Sequence, residues 1–312
     1  MWFKQMQCFT FEGFKAPEDW QSALESLILQ TPTGARDTSM GWVSPFGLTS
    51  ESLYHKYGHF VMLKAAMLQR MLPASVIKQA VDEHVAEVKR EQDRDLSARE
   101  KVRIREQIKF ELMPKAFCRR KEVCLLINLN SGWVVADTSN HDFAEQAIGL
   151  LHECLGSFPT NRIRKDGMTG IMTAWLREKS IKTGYTLDQD CNLVNSQDRR
   201  NSIRISCQEL ESDEVAVHLA AGKQVTKLGL NWSGHLGFVL DDQLTLSKIR
   251  HLDIEAESDS SGQSPEEKFD ADFALLAPYY QQFVEGLFNL LEIDKNAAKE
   301  EASKESQPET AA

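Results

Sequence analysis

Val123-Cys124-Leu125-Leu126-Ile127-Asn128-Leu129-Asn130-Ser131-Gly132-Trp133-Val134-Val135-Ala136 decides how this chain folds. Two apolar runs, 123–128 and 133–136, flank Asn130-Ser131-Gly132. Short polar residues and glycine tolerate the tight backbone of a reversal, so the stretch predicts an antiparallel hairpin. Further strands are expected on both sides: Trp2 to Phe11, Met40 to Pro45, Phe60 to Leu72, Ser202 to Cys207, and a meander of Lys223 to Trp232, Phe238 to Leu240 and Leu244 to Ile249.

Helices interrupt these strands without a regular βαβ rhythm. Pro17 opens one with Trp20, Leu24, Leu27 and Ile28 on one face. Pro73 opens a long helical region in which Ile77, Val81, Val85 and Val88 recur at spacings of three and four. A charged patch from Lys89 to Ser97 breaks it. A second helix follows, with Ile104, Ile108 and Leu112 on one stripe, and Pro114 stops it. Phe143 to Leu155, closed by Gly156, Met168 to Lys179, a helix capped by Ser212 and ending near Gly222, and Phe269 to Leu291 complete the set. The predicted fold is α+β, antiparallel sheets with flanking helices. The domain expected is 1–291, with subregions of roughly 1–72, 73–122, 123–250 and 251–291. Glu255 to Glu267 reads as a polar linker, and 292–312 as a disordered acidic tail.

The chain has 312 residues, 42% hydrophobic and 26% charged, the balance of a folded soluble protein. No stretch reaches the ~18 apolar residues that would span a bilayer. Met1-Trp2-Phe3-Lys4 lacks the layout of a signal peptide, so a cytoplasmic location is expected. Six scattered cysteines without a Cys-x-x-Cys pair read as reduced thiols. The net charge of −10 is uneven: residues 251–312 hold 15 acidic and four basic residues, against 32 basic and 31 acidic in 1–250. Local potential, acting over a Debye length of ~8–10 Å, is what a phosphate backbone meets.

Catalytic patterns are few. Gly222-Lys223 lacks the rest of a phosphate loop. Gly-x-Gly-x-x-Gly, His-Glu-x-x-His and Gly-x-Ser-x-Gly do not occur, and no cofactor is implied. Asp270-Ala271-Asp272, near Glu266 and Glu267, could bind Mg²⁺ as nuclease carboxylates do. It equally suits the start of a helix, where carboxylates complement the dipole. A non-enzyme is expected.

The segment from Arg99 to Glu122 carries nine basic residues, Arg99, Lys101, Arg103, Arg105, Lys109, Lys115, Arg119, Arg120 and Lys121, against four acids, Glu100, Glu106, Glu111 and Glu122. On a helix, Lys101, Arg105 and Lys109 form a row roughly 60° from the Ile104–Ile108–Leu112 stripe. Arg119-Arg120-Lys121 makes a compact patch after the helix break. A solvated face laced with ion pairs, such as Glu106 with neighbouring bases, would account for the same composition. If DNA binds here, phosphate contacts without base readout are expected.

Five short motifs occur in order: Met40-Gly41-Trp42-Val43-Ser44-Pro45, Leu72-Pro73-Ala74-Ser75-Val76-Ile77-Lys78-Gln79, Leu112-Met113-Pro114-Lys115-Ala116-Phe117, Gly222-Lys223-Gln224-Val225-Thr226-Lys227-Leu228 and Phe269-Asp270-Ala271-Asp272-Phe273. Together they resemble the recombination-associated RdgC family over about residues 1–291. The resemblance implies half of a ring-shaped homodimer closed around double-stranded DNA, non-specific binding, and restraint of the RecA recombinase in the nucleoid. It implies that Phe117 lies at a dimer contact flanked by Lys115 and Arg119. It places Gln208 in a second DNA-facing segment, although the preceding residue, often lysine in the family, is Cys207 here. Lys223 and Lys227 match a shared strand, where they either face DNA or solvate its outer face. Two other readings stay open: a metal-dependent nuclease using Asp270 and Asp272, and an adaptor whose basic segment meets an acidic protein.

Overall fold

A computed structural model describes residues 2–33, 36–47, 50–182, 184–252 and 265–293. The expected hairpin is its centre. Strand β5 (Phe117–Asn128) turns through residues 129–132 into β6 (Trp133–Ala136), with Leu125 opposite Ala136 and Asn128 opposite Trp133. Asn128 fastens the turn by accepting from the Asn130 and Ser131 amides through Oδ1, at 3.0 and 2.9 Å. β4 (Phe60–Met71) pairs antiparallel with β5 along its whole length, from Phe60 opposite Asn128 to Met71 opposite Phe117. β1 (Gln7–Phe11), β2 (Thr38–Val43), β3 (Tyr54–Tyr57) and β7 (Thr160–Arg162) complete a seven-stranded sheet ordered β2-β4-β5-β6-β1-β7, with β3 also on β4.

Strands β8 (Tyr185–Asn195), β9 (Ser202–Ile205), β10 (Lys223–Trp232), β11 (Leu236–Asp241) and β12 (Leu246–His251) form a second sheet ordered β12-β11-β10-β8-β9. The described strands of both sheets pair antiparallel, and helices flank them, as the α+β reading requires. The expected Trp2–Phe11 strand is divided between the two sheets. Residues 7–11 join the first. Met6 exchanges backbone hydrogen bonds of 2.9 Å with Leu246, and Lys4 accepts from Ile249, so the preceding segment lies on the second.

Helix α1 is shorter than expected. It runs from Trp20 to Glu25 because Asp19, not Pro17, is its cap. Leu27 and Ile28 lie beyond it, where the chain bonds the edge of β2 through Trp42. Helix α4 (His141–Leu155) ends at Gly156 in the left-handed conformation and packs with α1 on one face of the first sheet, around Trp20, Trp42 and Phe143. The opposite face shares a core with the second sheet, α5 (Met168–Glu178), α6 (Asp213–Ala220) and α7 (Pro265–Leu291). α7 starts a turn before the expected Phe269. It meets both sheets: Phe283 packs on Phe238 and Trp232, while Glu285 accepts from Ser131. Residues 294–312 and most of the expected linker lie outside the described residues.

Candidate nucleic-acid interface

The basic segment belongs to a helical hairpin inserted between β4 and β5. α2 (Ala74–Gln92) begins at Pro73 and ends at Asp93 in the left-handed conformation. α3 (Ala98–Leu112) begins with a capping box. The Ser97 hydroxyl accepts from the Glu100 amide at 3.3 Å, and Glu100 accepts from the Ser97 amide at 2.9 Å. This reciprocal arrangement satisfies two amides that the first helical turn leaves orphaned. The Ser97 amide and hydroxyl, joined by Arg94, hold the Glu100 carboxyl at about 2, well below its ordinary value. Leu96 is buried in the turn between the helices.

Ile104, Ile108 and Leu112 are half-buried, and α3 has no fully buried residue. The predicted stripe faces α2, which makes most of α3's contacts. Arg99, Lys101, Arg103, Arg105 and Lys109 are consequently exposed. Among the described residues none of these five has a carboxylate oxygen within 4.0 Å, and Glu106 forms no ion pair. The ion pairs that a self-neutralised helix face would need are not made.

α3 passes through one 3₁₀ turn, Met113–Lys115, with Pro114 inside it, into β5. Phe117, the first residue of that strand, is 90% exposed. Met71 opposite it, Val76 in the first turn of α2 and Phe110 in the last turn of α3 are exposed as well. Four exposed apolar side chains where the hairpin joins the sheet are an unusual concentration for a protein surface. The helical phase of Phe110, about 200° from Ile108, was a readable signal of its exposure.

The run Arg119-Arg120-Lys121 is not a compact patch. It lies within β5, where successive side chains point to opposite faces. Arg119 and Lys121 share one face. Arg120 takes the other and ion-pairs with Glu122 at 2.7 Å, which Lys64 also meets at 2.7 Å. Burial pushes the Glu122 carboxyl up, but Lys64 and Arg120 outweigh it and hold the group below its ordinary value. Lys115 and Arg119 are exposed and Lys121 is half-buried.

Gln208, Lys223 and Lys227 lie with the second sheet, apart in the fold from the hairpin. The Gln208 amide donates to Glu214 at 2.8 Å. Lys223 is 7% exposed and donates its ammonium to Asn201, so it neither solvates an outer face nor is free for a phosphate. Lys227 pairs with Asp241 at 3.9 Å. Asp270 is exposed and faces His55 at 3.4 Å, whereas Asp272 is half-buried. Among the described residues no group of three or more His, Cys, Asp or Glu side chains could hold a metal ion, and no helix is long and apolar enough to cross a membrane.

A two-sheet α+β protein that presents a cation-bearing helical hairpin beside exposed aromatic residues is the class this arrangement defines, and comparison with known proteins associates it with recombination. The family model described as "RdgC: Putative exonuclease, RdgC" matches residues 1–294. Proteins named "Recombination-associated protein RdgC" from Aeromonas hydrophila subsp. hydrophila and from Proteus mirabilis are each 33% identical over 297 residues, covering 93% of this chain and 98% of the relative. The protein of that name from Pseudomonas entomophila is 30% identical over 298 residues, covering 93% and 97%. The chain belongs to the RdgC family.

Proposed function

We propose that this protein binds duplex DNA through its phosphates, as a homodimer closed around the duplex, and so restrains RecA in the nucleoid of the cytoplasm. The observation that carries the reading is the row of exposed α3 cations with no carboxylate oxygen within 4.0 Å among the described residues. Lys115 in the 3₁₀ turn, and Arg119 and Lys121 on β5, are the further cations of the proposed surface. Cations whose charge is already neutralised gain little from a phosphate, whereas unpartnered ones release condensed counterions on binding. Phe117 and the apolar residues around it are the proposed dimer contact, since aromatic groups in a desolvated patch are strong anchors. The protein acts here by occupying DNA and not by cutting it.

Gel-shift titration on linear and covalently closed duplexes at several salt concentrations tests this. The log of affinity should fall against log salt by ~0.9 per phosphate neutralised, and the closed circle should retain protein longer than the linear duplex. Absence of binding at ~50 mM salt, where phosphate contacts are strong, would leave the adaptor reading standing. Cleavage in Mg²⁺ that disappears in Asp272→Ala would favour the nuclease reading.

A further inference from the structure

The first sheet ends in an open edge at β7. The Ile163 amide donates to the Cys8 carbonyl, and Thr10 lies opposite Asn161. In an antiparallel ladder, hydrogen-bonded positions alternate. Asn161 therefore faces β1, while the N–H and C=O groups of Thr160 and Arg162 point outward. Among the described residues no further strand pairs with that edge.

Helix α4 runs beside it, leaving a cleft of about 730 Å³. Phe9, Ile148 and Phe158 make an apolar floor. Glu145, Gly149 and His152 line the helical wall, and Thr160 to Arg162 the strand wall. Gly149 is notable in the middle of a helix, where glycine is weaker than alanine. Its backbone φ is not positive, and a Cβ there would meet nothing within 4 Å. No packing in the fold calls for glycine, and its effect is to keep the wall low. Arg164 stands at the rim, exposed and without a carboxylate within 4.0 Å among the described residues. Arg162 is half-buried and donates to the Gln243 carbonyl at 2.9 Å. The same guanidinium also meets the His141 ring at 3.2 Å, so Arg164 is the lining arginine left open, with Glu145 the one carboxylate in the lining.

We infer that the cleft between α4 and β7 takes an extended acidic peptide segment of a partner protein as an added strand. The outward groups of Thr160 and Arg162 supply main-chain hydrogen bonds, and alternate side chains turn into the cleft toward α4. A carboxylate on the peptide meets Arg164, whose planar fork suits it. An open backbone edge, with N–H donors alternating with C=O acceptors, fits a polypeptide and not a phosphodiester chain, which offers acceptors alone. This site is separate from the α3 surface and does not depend on DNA binding there.

The test uses the full chain and two capped, fluorescein-labelled hexapeptides, one alternating glutamate and valine, the other lysine and valine. Fluorescence anisotropy reads binding, and amide hydrogen exchange reads Thr160 and Arg162. The acidic peptide should bind at least tenfold more tightly than the lysine one and slow exchange at both amides. Gly149→Gln and Arg164→Glu should each weaken it at least tenfold with the melting temperature and duplex binding unchanged. Failure of the acidic peptide to bind at millimolar concentration would overturn the inference. So would binding without protection of Thr160 and Arg162, binding lost in Arg105→Glu but not in Arg164→Glu, or protection of those amides by duplex DNA instead.

Discussion

Among its described residues helix α7 buries eleven hydrophobic side chains, Tyr280 and Phe283 among them, whereas α2 and α3 together fully bury only Ile77. The first is held by tertiary packing, with Phe283 against Phe238 and the Tyr280 hydroxyl accepting from the Phe3 amide. The second is held by local devices: a capping box, a left-handed stop at Asp93, and a half-buried seam between two helices. Most helices owe their stability to an apolar face on a core. A hairpin that dispenses with this has its outer surface free for another purpose, and its charge can change at little cost to the fold.

The largest effect expected from this contrast is on α7. Phe283→Ala removes a fully buried ring and should cost about 3–5 kcal/mol, read from urea denaturation. A loss below ~1 kcal/mol, the range of surface changes, would mean that α7 is not a scaffold. Next comes the reversal of Arg103, Arg105 and Lys109 to glutamate. Each site is exposed, so stability should move by about 0.5 kcal/mol or less per site. Duplex affinity at low salt should nevertheless fall at least a hundredfold, and the salt slope should flatten by ~2.7. Unchanged binding would separate α3 from the DNA surface while leaving the packing contrast intact.

Ser97→Ala should act more locally. Loss of the cap costs about 1 kcal/mol, expressed as faster amide exchange in the first turn of α3 with no comparable loss in α7. The smallest effect is on pH response. The Glu100 carboxyl is held at about 2 when folded, against an ordinary value of 4.5. Its contribution is therefore complete above pH 4.5 and disappears as pH falls through about 2. An NMR titration of Glu100 in the full chain should give a midpoint near 2, and a midpoint near 4.5 would show that the box does not form.

Much of this was readable in the chain. Pro73, Pro114 and the Asn130–Gly132 turn act through backbone restrictions that depend on few neighbours, and elements form where they predict. Ser97-x-x-Glu100 carries a local signal too: a capping-box pattern at the end of the charged patch that breaks the helical region. β8 carries no such local signal, because Asp188 and Asp190 interrupt its apolar pattern. Both are stabilised by distant partners, Arg250 and Lys248. Residues 119–121 illustrate the same limit. Their charge was plain, but whether they form a patch depended on their lying in β5, which pairing with β4 decides.

The sequence by itself determined the α+β class, the hairpin centre, the two-helix insertion and the cationic composition of α3, because periodicity, proline and glycine act over a few residues. Tertiary structure alone decided which cations are available. Lys223 turns inward to Asn201, Arg120 is engaged by Glu122, and the α3 row stays open. The reason is physical: side-chain charge belongs to a residue type, but its neutralisation depends on groups brought within 4 Å from elsewhere in the chain. That proximity is a property of the folded molecule.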